Sequence, residues 1–283
     1  AGRSGGVAGG MQRQLTILVT GSTDGIGKAT AMALAREGHR VLVHGRNKEK
    51  GEAVVEAIRG QAGKTDPDLF LADLSSFRQI RGLAAHVLAR YPRLDVLINN
   101  AGVYMPERVE SEDGIEMTLA VNLVAPFLLT RLIRAGLGAA APARVVNLAS
   151  SAHFDVDRVD WDDLQAERHY DPWQQYALSK LGVVHFTAAL AGRLDPGMVT
   201  VNCLHPGVTC TKLLYSAFPD YPCEPPDAGA RTPVYLATSL EVAGVTGKYF
   251  DGMRGARTSR LARDREVRER FCVFLEDVTA RMI

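Results

Sequence analysis

The chain has almost no net charge: 33 Lys and Arg against 32 Asp and Glu leave a formal +1 over 283 residues. No broad field toward nucleic acid or an anionic bilayer follows from that balance, so no nucleic-acid partner is expected and any cationic site must be local. No apolar stretch approaches the roughly 18–20 residues that span a bilayer, so no membrane anchor is expected either. Cysteine is scarce. Cys203, Cys210, Cys223 and Cys272 form no Cys-x-x-Cys pair and have no His cluster at zinc spacing. They read as buried or idle thiols without a metal site, which fits a reducing, cytoplasmic setting. Internal repeats are absent, and no linker interrupts residues 14–250. What is present is ordinary globular material, 46% hydrophobic and 23% charged, long enough to bury a substantial core.

Residues 1–13 are small, Gly-rich and begin ahead of Met11, and are set aside as a disordered lead or remnant. From residue 14 to 283 short apolar runs alternate with longer helical segments. Candidate strands are 16–20, 40–44, 69–72, 96–99, 144–148, 200–204 and 248–250, several of them continuous Val/Ile/Leu runs of the kind covered on both faces. Helices are expected over 26–37, 48–59 and 77–90, with Gly38 as a stop and Ser76 with Gln79 as a capping box. Strand, helix, strand repeated this way implies a single-domain, doubly wound α/β fold: a parallel sheet of about seven strands with helices on both faces. Residues 212–226 carry Tyr215, Phe218, Tyr221 and several prolines and read as a loop or lid over a substrate. Val267, Phe271, Phe274, Leu275, Val278 and Met282 recur at helical spacing, predicting an amphipathic helix over about 264–282 docked on the body.

The first strand runs into Gly21-Ser22-Thr23-Asp24-Gly25-Ile26-Gly27 and then a helix. Gly21 suits a tight turn, Gly25 a close backbone approach to a pyrophosphate, and Gly27 close packing of helix on sheet. The helix N-terminus adds amide donors and partial positive charge for phosphates. At the first strand-to-helix turn of an alternating pattern, this reads as a dinucleotide site. The second strand ends His44-Gly45-Arg46, with no carboxylate where NAD-selective sites place an acid for the ribose hydroxyls. A guanidinium there suits an adenosine 2′-phosphate, so NADP(H) is favoured, with NAD(H) the alternative.

Tyr176 and Lys180 lie four apart on a predicted helix and so share one face. An ammonium beside a phenol favours the phenolate and would bring it into proton-transfer range for a carbonyl or alcohol oxygen.

Taken in order, Thr20-Gly-x-x-x-Gly25-Ile-Gly27, Asn99-Asn100-Ala101-Gly102, Asn122, Ser150, Tyr176-x-x-x-Lys180 and Pro206-Gly207 resemble a short-chain dehydrogenase/reductase. Glu112-Asp113-Gly114-Ile115-Glu116, Ala120-Val121-Asn122, Val146-Asn147-Leu148-Ala149-Ser150 and Leu164-Gln165 are most similar to its retinol-dehydrogenase-like branch. The resemblance implies a Rossmann-type fold and catalytic roles for Asn122, Ser150, Tyr176 and Lys180. Tyr176 would be the proton donor and acceptor, Ser150 would stabilise the oxyanion, and Asn122 would bind a water linking Lys180 to solvent. Asp73 would contact the adenine, Leu74 beside it would belong to the cofactor site, and Asn99, Ala101 and Gly102 would line the adenosine side. Following Pro206-Gly207, Val208 and Thr211 would hold the nicotinamide carboxamide. Lys180 would also bond the nicotinamide ribose. Ser151 competes with Ser150 for the catalytic hydroxyl, and alignment on Val-Asn-Leu favours Ser150. His153 and His169 fall near the substrate side, whereas His185 and His205 read as structural. Met105, Phe154 and Trp173 are candidate pocket walls. The implied substrate is a hydrophobic carbonyl or alcohol, and the implied assembly a homodimer or homotetramer. A dinucleotide sensor or scaffold without turnover, or a reductase of a carbon–carbon double bond, stay open as alternatives.

Overall fold

The computed structural model describes residues 13–62 and 65–280. The lead expected over 1–13 therefore lies outside the described residues except for Arg13, whose guanidinium pairs with the buried Asp95 carboxylate. The expected Met282 of the last helix also lies outside them.

The elements follow in the order β1 (Thr16–Val19), α1 (Gly25–Arg36), β2 (Arg40–Gly45), α2 (Lys48–Ala62), β3 (Asp68–Leu71), α3 (Phe77–Arg90) and β4 (Val96–Asn99). A bent helical stretch comes next: α4 (Met117–Leu119), a π-helical turn (Ala120–Val124), α5 (Ala125–Leu132) and α6 (Arg134–Ala140). The chain continues through β5 (Ala143–Leu148), α7 (Pro172–Arg193), β6 (Val199–His205), α8 (Lys212–Ala217) and α9 (Pro226–Thr238). It closes with β7 (Tyr249–Asp251), β8 (Arg254–Ala256) and α10 (Arg265–Ala280).

Among the described residues, one sheet holds eight strands in the order β3-β2-β1-β4-β5-β6-β7-β8. β1 to β7 run parallel and β8 pairs antiparallel with β7. Side chains alternate between two layers of core, as the two-residue strand period requires. Ile17 and Val19 of β1 join Val41, Val43 and Ile58 in one cluster, whereas Leu18 joins Leu42, Leu97 and Leu129 in the other. The first layer is covered by α1, α2 and α9, the second by α3, α5 and α7. The continuous apolar runs are thus strands buried on both faces.

Local chemistry sets the boundaries. Asp24 caps α1 by accepting from Gly25 N (2.9 Å), and Gly38, at φ +89°, turns the chain out after it. Ser76 caps α3 by accepting from Gln79 N (3.3 Å). The Gln79 side chain does not complete a capping box: it accepts from Asp73 N (2.9 Å) and so props the end of β3 instead. Asp171 caps α7 through Gln174 N (2.9 Å), with Pro172 in the first turn.

Three expectations are corrected. The sheet has eight strands rather than about seven. β8 is three residues long and wholly exposed, and carries no apolar alternation to announce it; the turn signal Asp251-Gly252 was its trace in the sequence. The cysteines are not all thiols. Cys203 and Cys272 are free and buried, but Cys210 and Cys223 form a disulfide. Backbone pairing explains the meeting: Cys210 N donates to Glu224 O (2.8 Å) and Glu224 N to Val208 O (2.9 Å), which sets the two residues opposite one another. Cysteine usage therefore gives no support to a reducing compartment. The segment 212–226 is also not all loop, since it begins with α8, capped by Thr211 through Leu214 N (3.2 Å). Among the described residues no single helix is long and apolar enough to cross a membrane.

Candidate active site

The strand order reverses between β1 and β4, and a cleft of about 870 Å³ opens at the carboxyl ends of the strands there. Its floor is the turn after β1. Gly21 takes φ +63°, a conformation that strains any residue with a Cβ. Gly27 is sterically obligatory, because a Cβ would stand 2.3 Å from both Gly21 O and Asn100 Nδ2. The turn is held by side chains from neighbouring strands. Asn100 Nδ2 donates to Thr20 O (2.8 Å) and Gly21 O (3.2 Å), while Thr20 Oγ1 accepts from Asn100 N (2.9 Å) and Ala101 N (3.1 Å). Gly21 N donates to His44 Nδ1 (3.1 Å). Burial pushes that imidazole down to about 4, so it is neutral, and an accepting Nδ1 places its proton on Nε2.

Of the expected cofactor residues, Gly21, Thr23, Asp24, Gly25, Ile26, Gly27, Arg46, Asp73, Leu74, Ala101 and Gly102 line this cleft. Tyr176, Lys180, Pro206, Gly207, Val208 and Thr211 line it as well. Ser22 and Asn99 do not. Ser22 Oγ accepts from His44 N (2.9 Å), beneath the turn. Asn99 Nδ2 donates to Asn147 Oδ1 (2.8 Å) and Thr130 Oγ1 (3.1 Å), so its side chain belongs to a buried network between sheet and α5. Asn100 and His44 are among the cleft residues to which sequence reasoning gave no role. Asn100 stood inside a quoted motif, and His44 was a polar residue in an apolar strand.

At the rim, exposed Arg46 reaches Asp73 Oδ2 at 3.3 Å. Burial pushes the Asp73 carboxyl up, but hydrogen bonds from Ser75 and the Arg46 guanidinium outweigh it and hold it below the usual range. Across the mouth, Lys212 Nζ lies 2.6 Å from Asp24 Oδ2 and holds that carboxyl down, joining the first turn of α8 to the cap of α1.

Ser150 follows β5 and caps a short 3₁₀ turn, its Oγ accepting from Ala152 N (3.2 Å). That leaves its proton for a partner in the cleft, where it draws the pKa of the neighbouring Tyr176 phenol slightly down. Ser151 also lines the cleft but faces His205 Nε2 at 3.5 Å. Lys180 Nζ lies 5.6 Å from the Tyr176 ring centroid and donates to Leu148 O (2.9 Å). Both residues are buried, and that reverses one expectation. Burial pushes the phenol up to about 12, against a smaller downward pull from Ser150. The same burial brings the Lys180 ammonium down to about 8. The site thus holds a protonated phenol at neutral pH rather than a phenolate.

Asn122 sits in the π-helical turn and does not line the cleft. Its Oδ1 accepts from Val103 N (2.8 Å), and its Nδ2 donates to Val103 O (2.9 Å) and Ser179 Oγ (3.1 Å). It therefore ties the loop after β4 to the helix that carries Tyr176 and Lys180. His153 is buried away from the cleft: its Nδ1–H donates to Ser150 O (2.6 Å) and its Nε2 accepts from Ser259 N (3.3 Å). His169 is exposed and outside the lining, His185 stacks on Phe271 at 5.3 Å, and His205 is a cleft wall. Met105 and Trp173 are walls too, as are Phe218 and Tyr221 of the lid, whereas Phe154 is not.

The residues present fit a dinucleotide. The glycine turn, where a Cβ at position 27 would run into Gly21 O and Asn100 Nδ2, lines the cleft and leads to the N-terminus of α1, whose amides suit phosphates. Comparison with known proteins agrees. The family described as short chain dehydrogenase matches residues 15–222. Retinol dehydrogenase 13 of Homo sapiens is 40% identical over 270 residues, covering 90% of this chain and 81% of that protein. Among solved structures, an uncharacterized protein from Mycobacterium paratuberculosis superposes with a TM-score of 0.76 at 29% identity, covering 94% of each chain. A short chain dehydrogenase from Shigella flexneri, solved complexed with NADP, superposes with a TM-score of 0.71 at 29% identity, covering 86% of this chain and 99% of that one.

Proposed function

This chain belongs to the short-chain dehydrogenase family, in its retinol-dehydrogenase-like branch, and from that premise we propose that it is an NADP(H)-dependent oxidoreductase interconverting a carbonyl and an alcohol on a hydrophobic small molecule. The observation that carries the reading is the convergence of Ser150, Tyr176 and Lys180 with the glycine turn in one cleft. A bound nicotinamide would supply or accept hydride at the substrate carbon. The chain's own residues handle the oxygen. Tyr176, protonated at neutral pH, donates its proton to the carbonyl oxygen in the reductive direction; in the other direction it acts as the phenolate, having first lost its own proton, and takes one from the alcohol. Ser150, its acceptor side occupied by Ala152 N, directs its hydrogen toward the same oxygen and stabilises developing negative charge. Lys180 supports the phenolate left after donation, and does so more strongly in a buried site than in water. The carbon-bound ends of the substrate would meet apolar walls, Met105, Trp173, Leu213 and Phe218 among them.

The choice of NADP(H) rests on Arg46 at the rim and on Gly45, where a Cβ would meet Thr23 Cγ2 at 2.4 Å and so leaves little room for an acid. The NADP named for the Shigella relative supports the same choice. In a screen of apolar aldehydes, ketones and alcohols followed at the NADPH absorbance band, the parent turns over at least one substrate. Tyr176→Phe binds NADPH yet loses roughly 10²–10⁴ of the rate, the range for removing a general acid. Tight NADPH binding without turnover of any substrate would favour the sensor reading instead. Arg46→Asp is expected to raise the Michaelis constant for NADPH about tenfold or more while leaving that for NADH near its parent value, since one charged contact to phosphate is worth roughly 1.5–3 kcal/mol. Equal effects on the two would remove the assignment to NADP(H).

A further inference from the structure

We propose that Trp173, with Phe218 and Tyr221 of the lid, forms a subsite for a flat aromatic group on the substrate, and that Trp173 is the specificity-determining residue. The inference rests on the oxidoreductase reading only for where the carbonyl lies; the wall itself is geometry. Five rings run through the cleft lining in a connected row. Tyr104 lies 6.0 Å from the Tyr176 ring, and Trp173 stacks on that same Tyr176 ring at 5.8 Å and 30°. Phe218 meets Trp173 edge-on at 5.3 Å, and Tyr221 follows at 5.9 Å. The row leads from the reacting oxygen's partner out to the lid.

Its outer end is exposed, Phe218 by 39% and Tyr221 by 52%. Aromatic groups clustered at a cleft mouth and left open to water mark a surface that a ligand covers. The lid that carries them is not a free loop. The Cys210–Cys223 disulfide and the pairing of Thr209 with Glu224 close its base, and α8 fills its first half. The rings are therefore held in place before a ligand arrives, which lowers the ordering cost of binding. Faces and edges offered together favour a planar π-system over a branched aliphatic group of equal area, because aromatic pairs gain from stacked and edge-to-face contact beyond burial.

The test compares 2-naphthaldehyde with propanal as substrates of the whole chain with NADPH. Trp173→Leu keeps an apolar side chain and removes the flat face. It is expected to lower kcat/KM for 2-naphthaldehyde about tenfold more than for propanal, chiefly through KM, as lost ground-state contact would. Phe218→Leu, on the exposed lid and outside the core, should shift the same ratio by about threefold, a smaller edge contact. A second readout needs no turnover: calorimetric binding of 2-naphthalenemethanol to the chain with NADPH, both already reduced, should weaken about tenfold in Trp173→Leu. Equal losses on the two aldehydes would overturn the proposal, because Trp173 would then merely support Tyr176. An unchanged ratio would overturn it too. If the parent reduces neither aldehyde but binds the naphthyl alcohol in a Trp173-dependent way, the subsite stands and the oxidoreductase reading falls. Absence of both binding and turnover removes both.

Discussion

Tyr176 and Lys180 show burial overriding the charge argument that their spacing suggests. A phenol one turn from an ammonium invites the expectation of a lowered pKa, yet the phenol is pushed up to about 12 and the ammonium down to about 8, each chiefly by desolvation. The consequence is specific to direction. Carbonyl reduction needs the phenol protonated, and it stays so across the physiological range. Lys180, however, loses its charge as pH rises through about 8, and with it the support that the proposed mechanism gives the phenolate formed on donation. For folding, the buried ammonium is a cost present below about 8, where Lys180 is charged in both folded and unfolded chains. That cost fades as pH climbs toward the unfolded value of 10.5. Activity and stability should therefore part company in alkali: kcat/KM for carbonyl reduction is expected to fall with an apparent pKa near 8 while this residue's contribution to stability improves. A rate profile flat from pH 7 to about 10 would show that Lys180 either keeps its proton or is not needed in charged form.

Among the elements, the turn between β1 and α1 was the most legible, because glycine spacing is a direct imprint of backbone geometry. Gly27 makes the case. A methyl group there would lie 2.3 Å from Gly21 O, a backbone atom with nowhere to go. Gly27→Ala is expected to cost about 1–3 kcal/mol of stability by overpacking and to weaken NADPH binding at least about tenfold by deforming the cradle. Denaturant unfolding and calorimetry measure the two; binding of parent strength would show that the turn does not touch the dinucleotide. The strands from β1 to β7 were legible for a similar reason, since a run such as Ile17-Leu18-Val19 with no polar alternation has to be covered on both faces. What escaped was set by long-range partners. Asn99 and Asn100 are chemically identical neighbours, yet strand alternation sends one into the core and the other to the glycine turn. Ser22 was read with its loop, but its hydroxyl serves β2. The Cys210–Cys223 pairing depends on a ladder between Val208 and Glu224 that has no sequence signature, and β8 depends on a three-residue exposed hairpin.

At the scale of the molecule, the cleft is assembled from the loops after β1, β2, β3, β4, β5 and β6 together with one face of α7, so its geometry depends on how firmly α7 is seated. The seat is partly supplied by α10, far along the chain. Phe271, fully buried, stacks on His185 of α7 at 5.3 Å and meets Trp161 edge-on at 5.1 Å. The Arg270 guanidinium lies over the Trp161 ring, 4.5 Å from its centroid. Leu275 joins the same core cluster as Tyr176 and Leu181. The apolar spacing of Val267, Phe271, Phe274 and Leu275 announced such a docking face, and the packing shows that it reaches the core shared by α7 rather than a peripheral patch. If α10 folds as part of one cooperative unit with the sheet, Phe271→Ala should lower the unfolding free energy by about 3–5 kcal/mol, the cost of emptying a buried aromatic site, with an unchanged denaturant slope. It should also lower kcat more than it raises the Michaelis constant for NADPH, because the glycine turn lies on the opposite layer of the sheet from α10. A loss below about 1 kcal/mol, together with fast amide exchange confined to 265–280, would instead show α10 opening on its own, and α7 would then owe its position to the sheet alone.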